Sequence, residues 1–174
     1  MRMFERIIVA LDGSESAAEA LTVAVQLAKA EQAALGICSV VDPIAITGTA
    51  PPSPAMEIVV RDMEKEARRL VDEAVAGAKH AGLTAAGNVR SGAPAFELLA
   101  YATEFNAGLI VMGTHGRRGI AHFLMGSVAE EILRESSVPV LVVRERRDGQ
   151  RTTSSASATP AAASDPSMAA GSAP

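Results

Sequence analysis

Four short runs along the chain are apolar at nearly every position, where a half-buried strand would be apolar only at every second one. They are ERIIVAL (5–11), ALGICSVV (34–41), LIVMG (109–113) and VPVLVV (138–143), and a weaker fifth run, TAAGNVRSG, spans 84–92. Strands with this pattern are typical of a parallel sheet that helices cover on both faces. The runs therefore predict a buried parallel β-sheet.

Helical patterns lie between these runs. Residues 56–81 and 94–106 have apolar positions at helical spacing, and two further helices are predicted after Ser16 and Ser127, because Glu19 and Glu130 complete capping boxes. Regular alternation of strand and helix indicates an α/β fold. We predict a single doubly wound open sheet of five parallel strands, order 3-2-1-4-5, with helices on both faces. Residues 42–55 form an irregular loop to which no element is assigned.

The length and charge of the chain limit its organisation and partners. With 174 residues and a net charge of -4, the chain is predicted to form one domain over residues 1–148 and to have no nucleic-acid partner, which would need a broad basic face. Residues 149–174 are rich in Ala, Ser, Thr and Pro and are predicted to be a disordered tail. Neither a signal peptide nor a membrane span is recognisable, so we expect no membrane partner and a cytoplasmic location.

One stretch of this acidic chain concentrates glycine and positive charge. It is GTHGRRGIAHFLMGS, residues 113–127, which lacks any acid. In the predicted strand order the winding reverses between strands 1 and 4, so this loop and the loop from Asp12 to Ser14 meet where ligands bind in such sheets. Glycine backbone and a helix start at Gly126 and Ser127 can form a cradle for an anion. His115, Arg117, Arg118 and His122 could add charged contacts.

Simpler interpretations of these residues stay open at this point. The glycine loop could be a turn, Ser127 and Asp12 could serve only as helix caps, and the arginines could form a solvated face. A metal site at His115 and His122 lacks a third ligand at suitable spacing, and no metal-ligating residue is predicted. Neither GxxxxGK[ST] nor a GxGxxG after strand 1 is present, which argues against the P-loop and dinucleotide-binding classes.

The glycine spacing resembles that of a known family. Gly113-Thr-His-Gly116, nine residues and then Gly126-Ser127 match the pattern G-x2-G-x9-G-[ST], which is similar to the nucleotide-binding signature of the universal stress protein family. The segments IIVALDGSESAAEAL, LIVMGTHGR and GSVAEEILRESSVPVLVV resemble the first strand and helix, the fourth strand and loop, and the last helix and strand of that family. The resemblance covers roughly residues 4–144.

Membership of the ATP-binding subgroup would imply a nucleotide site and a stress-response role. The resemblance implies that Asp12 and the backbone around Ala10, Leu11 and Val40 hold adenine and ribose, and that Met112 and Gly113 pack on the nucleoside. It implies that Gly116, Gly126, Ser127 and Val128 hold the phosphates of ATP, with His115 and Arg117 in the same loop and a bridging Mg²⁺ or Mn²⁺. It also suggests a homodimer through strand 5, residues 138–143, whose apolar edge invites pairing.

No catalytic residue is predicted. A hydrolase needs a base or water-orienting group and a metal-holding carboxylate near the γ-phosphate, and residues 113–125 contain no acid. The main hypothesis is a nucleotide-responsive stress protein. The alternatives are a slow ATPase, autophosphorylation or another enzyme on the same fold, a cyclic-AMP-binding protein, and a nucleotide-free interaction protein.

Overall fold

A five-stranded parallel sheet, order β3-β2-β1-β4-β5, forms the centre of the fold. The computed structural model describes residues 3–48, 53–114, 116 and 125–145. The elements in chain order are β1 (Arg6–Ala10), α1 (Glu15–Glu31), β2 (Ala34–Val41), α2 (Pro43–Thr47), α3 (Pro54–His80), β3 (Ala85–Ser91), α4 (Pro94–Glu104), β4 (Leu109–Gly113), α5 (Ser127–Glu135) and β5 (Val140–Val143). The predicted fold class and strand order are confirmed.

Helices cover both faces of the sheet, which explains why its strands are apolar throughout. Side chains of β1 alternate between the two faces: Ile7 and Val9 pack beneath α1 and α3, whereas Ile8 packs beneath α4 and α5. All three are fully buried. Strand β1 pairs with β2 on one side and β4 on the other, so the winding reverses between β1 and β4, as predicted.

Both predicted capping boxes are wrong in detail. The N-cap of α1 is Ser14, whose hydroxyl accepts a hydrogen bond from the Ala17 N–H, while Ser16 is buried within the first turn. The N-cap of α5 is Gly126, so Ser127 is the first helical residue, and this helix has no side-chain cap. In each case the serine at capping-box spacing is itself a helical residue in the first turn. A capping side chain must belong to the residue that precedes the first turn.

The loop left unassigned between β2 and α3 contains a short helix. Asp42 caps α2 by accepting a hydrogen bond from the Ala45 N–H at 3.0 Å, and Pro43 occupies the first turn, where its missing N–H costs nothing. Ser53 caps α3 in the same way, followed by Pro54. Five helical residues are too few for a periodic signal in the sequence.

Two further predictions concern membrane-spanning helices and the C-terminal tail. Among the residues that the structure describes, no helix is long and apolar enough to cross a membrane. The tail predicted over 149–174 lies outside the described residues.

Candidate functional site

A cavity of about 780 Å³ opens at the carboxyl ends of the strands, around the reversal between β1 and β4. Its walls come from the ends of β1, β2 and β4, from the start of α5, and from α3 and α4. Pockets for small ligands range over roughly 300–1,000 Å³. The cavity is therefore large enough for a ligand of nucleotide size.

Nine of the twelve residues predicted for the site line this cavity. They are Ala10, Asp12, Val40, Met112, Gly113, Gly116, Gly126, Ser127 and Val128. His115 and Arg117 lie outside the described residues, as do Arg118 and His122. Residues far apart in the sequence thus meet in one place, because parallel strands end at the same edge of the sheet.

Leu11 is the remaining predicted residue, and its side chain does not line the cavity. Alternation along the extended chain sends Ala10 towards α4 and α5 and Leu11 towards α1 and α3, where Leu11 is 8% exposed and packs in the core. Its N–H donates to the Cys38 carbonyl at 2.8 Å. Leu11 therefore supports the fold at this point.

The Asp12 carboxylate is held by the turn that leads into α1. Its Oδ1 accepts hydrogen bonds from the Ser14 N–H at 3.0 Å and the Ser14 hydroxyl at 2.6 Å. Ser14 in turn caps the helix, so Asp12 is not the helix cap. Its Oδ2 faces the opposite loop: a Cβ placed on Gly116 would lie 2.8 Å from that oxygen. The two loops of the reversal point therefore approach each other through Asp12 and Gly116.

Gly113, the first glycine of the spaced motif, has a packing role. A Cβ on this residue would lie within 3.0 Å of the Ser16 side chain and of the α1 backbone at Ser16 and Ala17. The end of β4 and the start of α1 can approach this closely only without a side chain at 113. This constraint is independent of any ligand.

The start of α5 presents backbone N–H groups along the cavity. The Gly126 N–H donates to the Thr114 carbonyl at 2.8 Å, so this amide is already used within the protein. The next residues, Ser127, Val128 and Ala129, also line the cavity, and N–H groups in the first turn of a helix have no carbonyl partner within it. With no side-chain cap, this turn can accept an anion.

The charged side chains along the described part of the wall are acidic. They belong to Asp12, Asp42, Glu130 and Glu131, and none of the described lining residues is a lysine, arginine or histidine. Among the described residues no three His, Cys, Asp or Glu side chains are grouped as a metal site. An anion bound here would rely on the start of α5 and on charge brought from elsewhere, such as a cation bound with it.

A buried thiol beneath the site is chemically inert. Cys38 is fully buried next to the residues that end β1, and this burial raises the pKa of its thiol to about 12. A thiol is nucleophilic only as the thiolate. Cys38 is therefore a core residue.

Several lining residues were absent from the predicted site. They are Ser39 on β2, Met63, Ala67 and Leu70 on α3, and Pro94 and Leu98 on α4. Met63 and Leu70 belong to the apolar stripe of α3 that the sequence shows, but such a stripe is the same whether it faces a closed core or a cavity. The sequence therefore shows the apolar stripe of α3 but does not show that part of it lines a cavity.

Comparison with known proteins gives one consistent family. Residues 3–144 match the model described as the universal stress protein family. The universal stress protein YxiE of Bacillus subtilis is 35% identical over 148 residues, a region that covers 82% of this chain and 100% of that protein.

Solved structures agree with this comparison. A universal stress protein family member from Burkholderia pseudomallei is 35% identical, with a TM-score of 0.67 and coverage of 82% of this chain and 98% of that one. A universal stress protein crystallised in complex with cAMP is 30% identical, with a TM-score of 0.57 and coverage of 83% and 99%. Both similarities cover more than four fifths of this chain and nearly all of the other chain.

Proposed function

The chain belongs to the universal stress protein family, and on that premise we propose that it binds an adenine nucleotide, ATP in the first instance, as a nucleotide-responsive stress module. One observation carries the proposal: a cavity at the β1/β4 reversal has the uncapped start of α5 at one side and Asp12, held by Ser14, at the other. The cAMP complex of a relative supports an adenine nucleotide as the ligand class.

In this proposal the nucleotide lies across the carboxyl edge of the sheet. The phosphates lie at Gly116, Ser127 and Val128, with Gly126 shaping the turn by bonding Thr114. Asp12 accepts hydrogen bonds from the ribose, while Ala10, Val40, Met112 and Gly113 pack on the nucleoside. His115 and Arg117 follow the same strand and add positive charge to the phosphate end.

A divalent cation, Mg²⁺ or Mn²⁺, forms part of the proposal. The described wall is acidic but offers no ready-made cluster of three ligands. A cation here would take most of its ligands from the phosphates, as Mg²⁺ commonly does, and would offset the repulsion between them and the nearby carboxylates. The residues present fit such a shared cation better than a cation held by protein alone.

The proposal predicts that nucleotide accompanies the purified protein. Mass spectrometry of material released by denaturation should identify an adenine nucleotide, and calorimetry should give a dissociation constant for ATP well below about 1 mM, tighter with Mg²⁺ than without. Titration with cAMP in the same buffer tests the alternative ligand that the relative's complex favours. Failure of both ATP and cAMP to bind in this range would refute the proposal.

The nucleotide is proposed to act as a signal rather than as a fuel. A ligand that contacts both the loop after β1 and the loop after β4 stabilises the arrangement in which these loops are close together. Binding therefore increases the population of that arrangement, and a partner protein that recognises it would bind more tightly. A steady ATP turnover above about one per second would instead indicate an enzyme. The location proposed for this module is the cytoplasm.

Strand β5 supports a proposed homodimer. It is an edge strand composed of Val140, Leu141, Val142 and Val143. The Ile110 N–H donates to the Pro139 carbonyl and the Thr114 N–H to the Val143 carbonyl. Alternation then turns the backbone groups of Val140 and Val142 away from β4, where a second copy related by two-fold symmetry could pair with them.

We predict a dimer through residues 138–143 that Val142→Pro converts to a monomer. Proline removes the outward N–H at 142 while the inward bonds to β4 remain, a position at which edge strands tolerate it. Light scattering at tens of micromolar should give twice the chain mass for the parent and the chain mass for the variant, with unchanged ATP binding. A monomeric parent at this concentration would contradict the prediction.

A further inference from the structure

The cavity extends over both faces of the sheet at its carboxyl edge. Ala10, Val40 and Met112, which are proposed to pack on the nucleoside, project from the face that α4 and α5 cover. Side chains alternate along β2, so Ser39 and Val41 project from the opposite face, beneath α1 and α3. The part of the wall on that face, which we call the inner wall, consists of Ala17, Ser39, Val41, Met63, Ala67 and Leu70.

The apolar side chains of the inner wall are shielded from solvent without belonging to the core. Val41 and Ala67 are 4% and 7% exposed, yet both lie outside the two clusters in which the core side chains pack. Met63 and Leu70 beside them are only partly buried. Side chains in a protein interior are close-packed, and those that border empty space lose favourable contacts. The inner wall therefore offers apolar surface that a ligand can cover.

The inner wall contains a single polar side chain, that of Ser39. The residue is 4% exposed, and within the part of the chain that the structure describes its hydroxyl has no hydrogen-bond partner. No side-chain oxygen or nitrogen of the described residues is both sealed from solvent and unpartnered, so this hydroxyl is open to the cavity. A hydroxyl in an apolar wall is costly unless something bonds it. The inner wall therefore suits an apolar ligand with one hydrogen-bonding group.

We propose that the inner wall binds an uncharged aliphatic molecule whose single hydroxyl or carbonyl group bonds the Ser39 hydroxyl. Met63, Ala67 and Leu70 lie at helical spacing on one side of α3 and span about 10 Å. An extended chain of about eight carbons has this length, with carbon–carbon bonds of about 1.5 Å. Methionine is flexible and adapts its shape to such a chain. This site is separate from the proposed nucleotide site and does not depend on it.

The composition of the wall decides the class of ligand. Among the described lining residues none is aromatic, so no ring is present on which an aromatic ligand would stack. A charged group would leave water for a wall whose one polar side chain is a hydroxyl, which is costly. The nearest charged lining residues in the sequence, Asp12 and Asp42, are acidic and would also repel an anion. An uncharged aliphatic alcohol is therefore the simplest probe.

The test titrates the protein with straight-chain primary alcohols in the absence of nucleotide. Octanol should bind with a dissociation constant of about 1 mM or tighter. Affinity should rise about fourfold for each methylene from butanol to octanol, the factor expected for a buried methylene. Octanoate should bind at least about tenfold more weakly than octanol. Absence of alcohol binding, binding without dependence on chain length, or equal binding of octanoate would overturn the inference.

Two variants of the inner wall test the chain and the hydroxyl separately. Ala67→Leu takes the space of about three methylenes and should weaken hexanol binding at least about thirtyfold. Ser39→Ala should weaken hexanol binding about three- to tenfold, the effect of one lost hydrogen bond, and should leave hexane binding unchanged. The controls are Ala76→Leu, on the exposed side of α3, and Ser91→Ala, at the exposed end of β3. Both controls should bind hexanol like the parent.

Thermal unfolding shows whether Ala67→Leu is folded, and if it is not, the comparison of hexanol with hexane in Ser39→Ala decides. Parent-like hexanol binding by a folded Ala67→Leu protein would overturn the inference, as would an equal change for hexanol and hexane in Ser39→Ala. Saturating ATP should change hexanol affinity by less than about threefold, and competitive displacement by ATP would overturn the separate site. Failure of ATP to bind would refute the proposed function and leave this inference standing.

Discussion

Gly113→Ala is expected to lower the free energy of unfolding by about 3 kcal/mol, with a fall of about 10 °C in the midpoint of thermal unfolding. The added Cβ would lie in contact with the Ser16 side chain and would come 2.8 Å from the Ser16 backbone carbon and 2.9 Å from the Ala17 nitrogen. A flexible side chain could move aside, but the first turn of a helix whose cap is fixed by Ser14 and Asp12 cannot.

Gly108→Ala is the matched control for this change. Gly108 precedes β4 as Gly113 ends it, and a Cβ there would meet its nearest atoms at 3.6 and 3.8 Å, which are ordinary contacts. Chemical unfolding of both variants should separate them by more than about 2 kcal/mol. If Gly113→Ala unfolds with the same free energy as the parent, the close approach of β4 and α1 is not a constraint on the fold.

The expected instability matters for how the glycine motif is interpreted. Loss of nucleotide binding in a Gly113 variant would follow from damage to the β4–α1 contact and would say nothing about a ligand. Among the described residues Gly126 has no comparable packing contact: its N–H donates to the Thr114 carbonyl, a bond that any residue except proline could make. The first glycine of the motif therefore also meets a packing requirement of the fold, independent of any ligand.

The sheet was predictable from the sequence because its physical signal is strong. Ile7, Ile8 and Val9 are all fully buried, so the strand is apolar at consecutive positions, as is typical of a sheet covered on both faces. Placing the reversal of winding between strands 1 and 4 gave the strand order. That order in turn predicted that the loops at Asp12 and Gly113 meet.

Finer features were not predictable, for reasons of geometry. Ser14 and Ser16 are both residues of a type that caps helices, and they are only two positions apart. The sequence does not show which of the two hydroxyls bonds a backbone N–H of the first turn; in the structure it is that of Ser14, to the Ala17 N–H. Leu11 adjoins two cavity residues, but its side chain points to the opposite face. Ser39 is a small polar residue within an apolar run, and only the packing of α3 against β2 turns its neighbourhood into an open wall.

Gly116→Val is the variant expected to separate binding from folding. Gly116 is exposed, and the atom that an added Cβ would meet is the end of the Asp12 side chain and not backbone, so the free energy of unfolding should change by less than about 1 kcal/mol. Any Cβ at this position meets Asp12 Oδ2 at 2.8 Å, and the branched valine side chain would extend into the space between the two loops. Because ribose and phosphates are proposed to occupy that space, ATP affinity should fall at least about a hundredfold, equivalent to about 2.7 kcal/mol.

A graded series makes this result specific. Gly116→Ala carries the same clash with Asp12 but fills less of the opening, so its loss of ATP affinity should lie between those of the parent and the valine variant. Calorimetry with ATP and thermal unfolding on the same samples give both quantities. Full ATP affinity in a folded Gly116→Val protein would mean that the nucleotide does not pass between Asp12 and Gly116, and the proposed path of the ligand through this gap would be wrong. The Asp12 carboxylate is bonded to Ser14, which caps α1. A ligand held between these loops therefore connects the start of α1 to the loop after β4. Through this connection we expect ligand binding at the edge of the sheet to affect the position of α1.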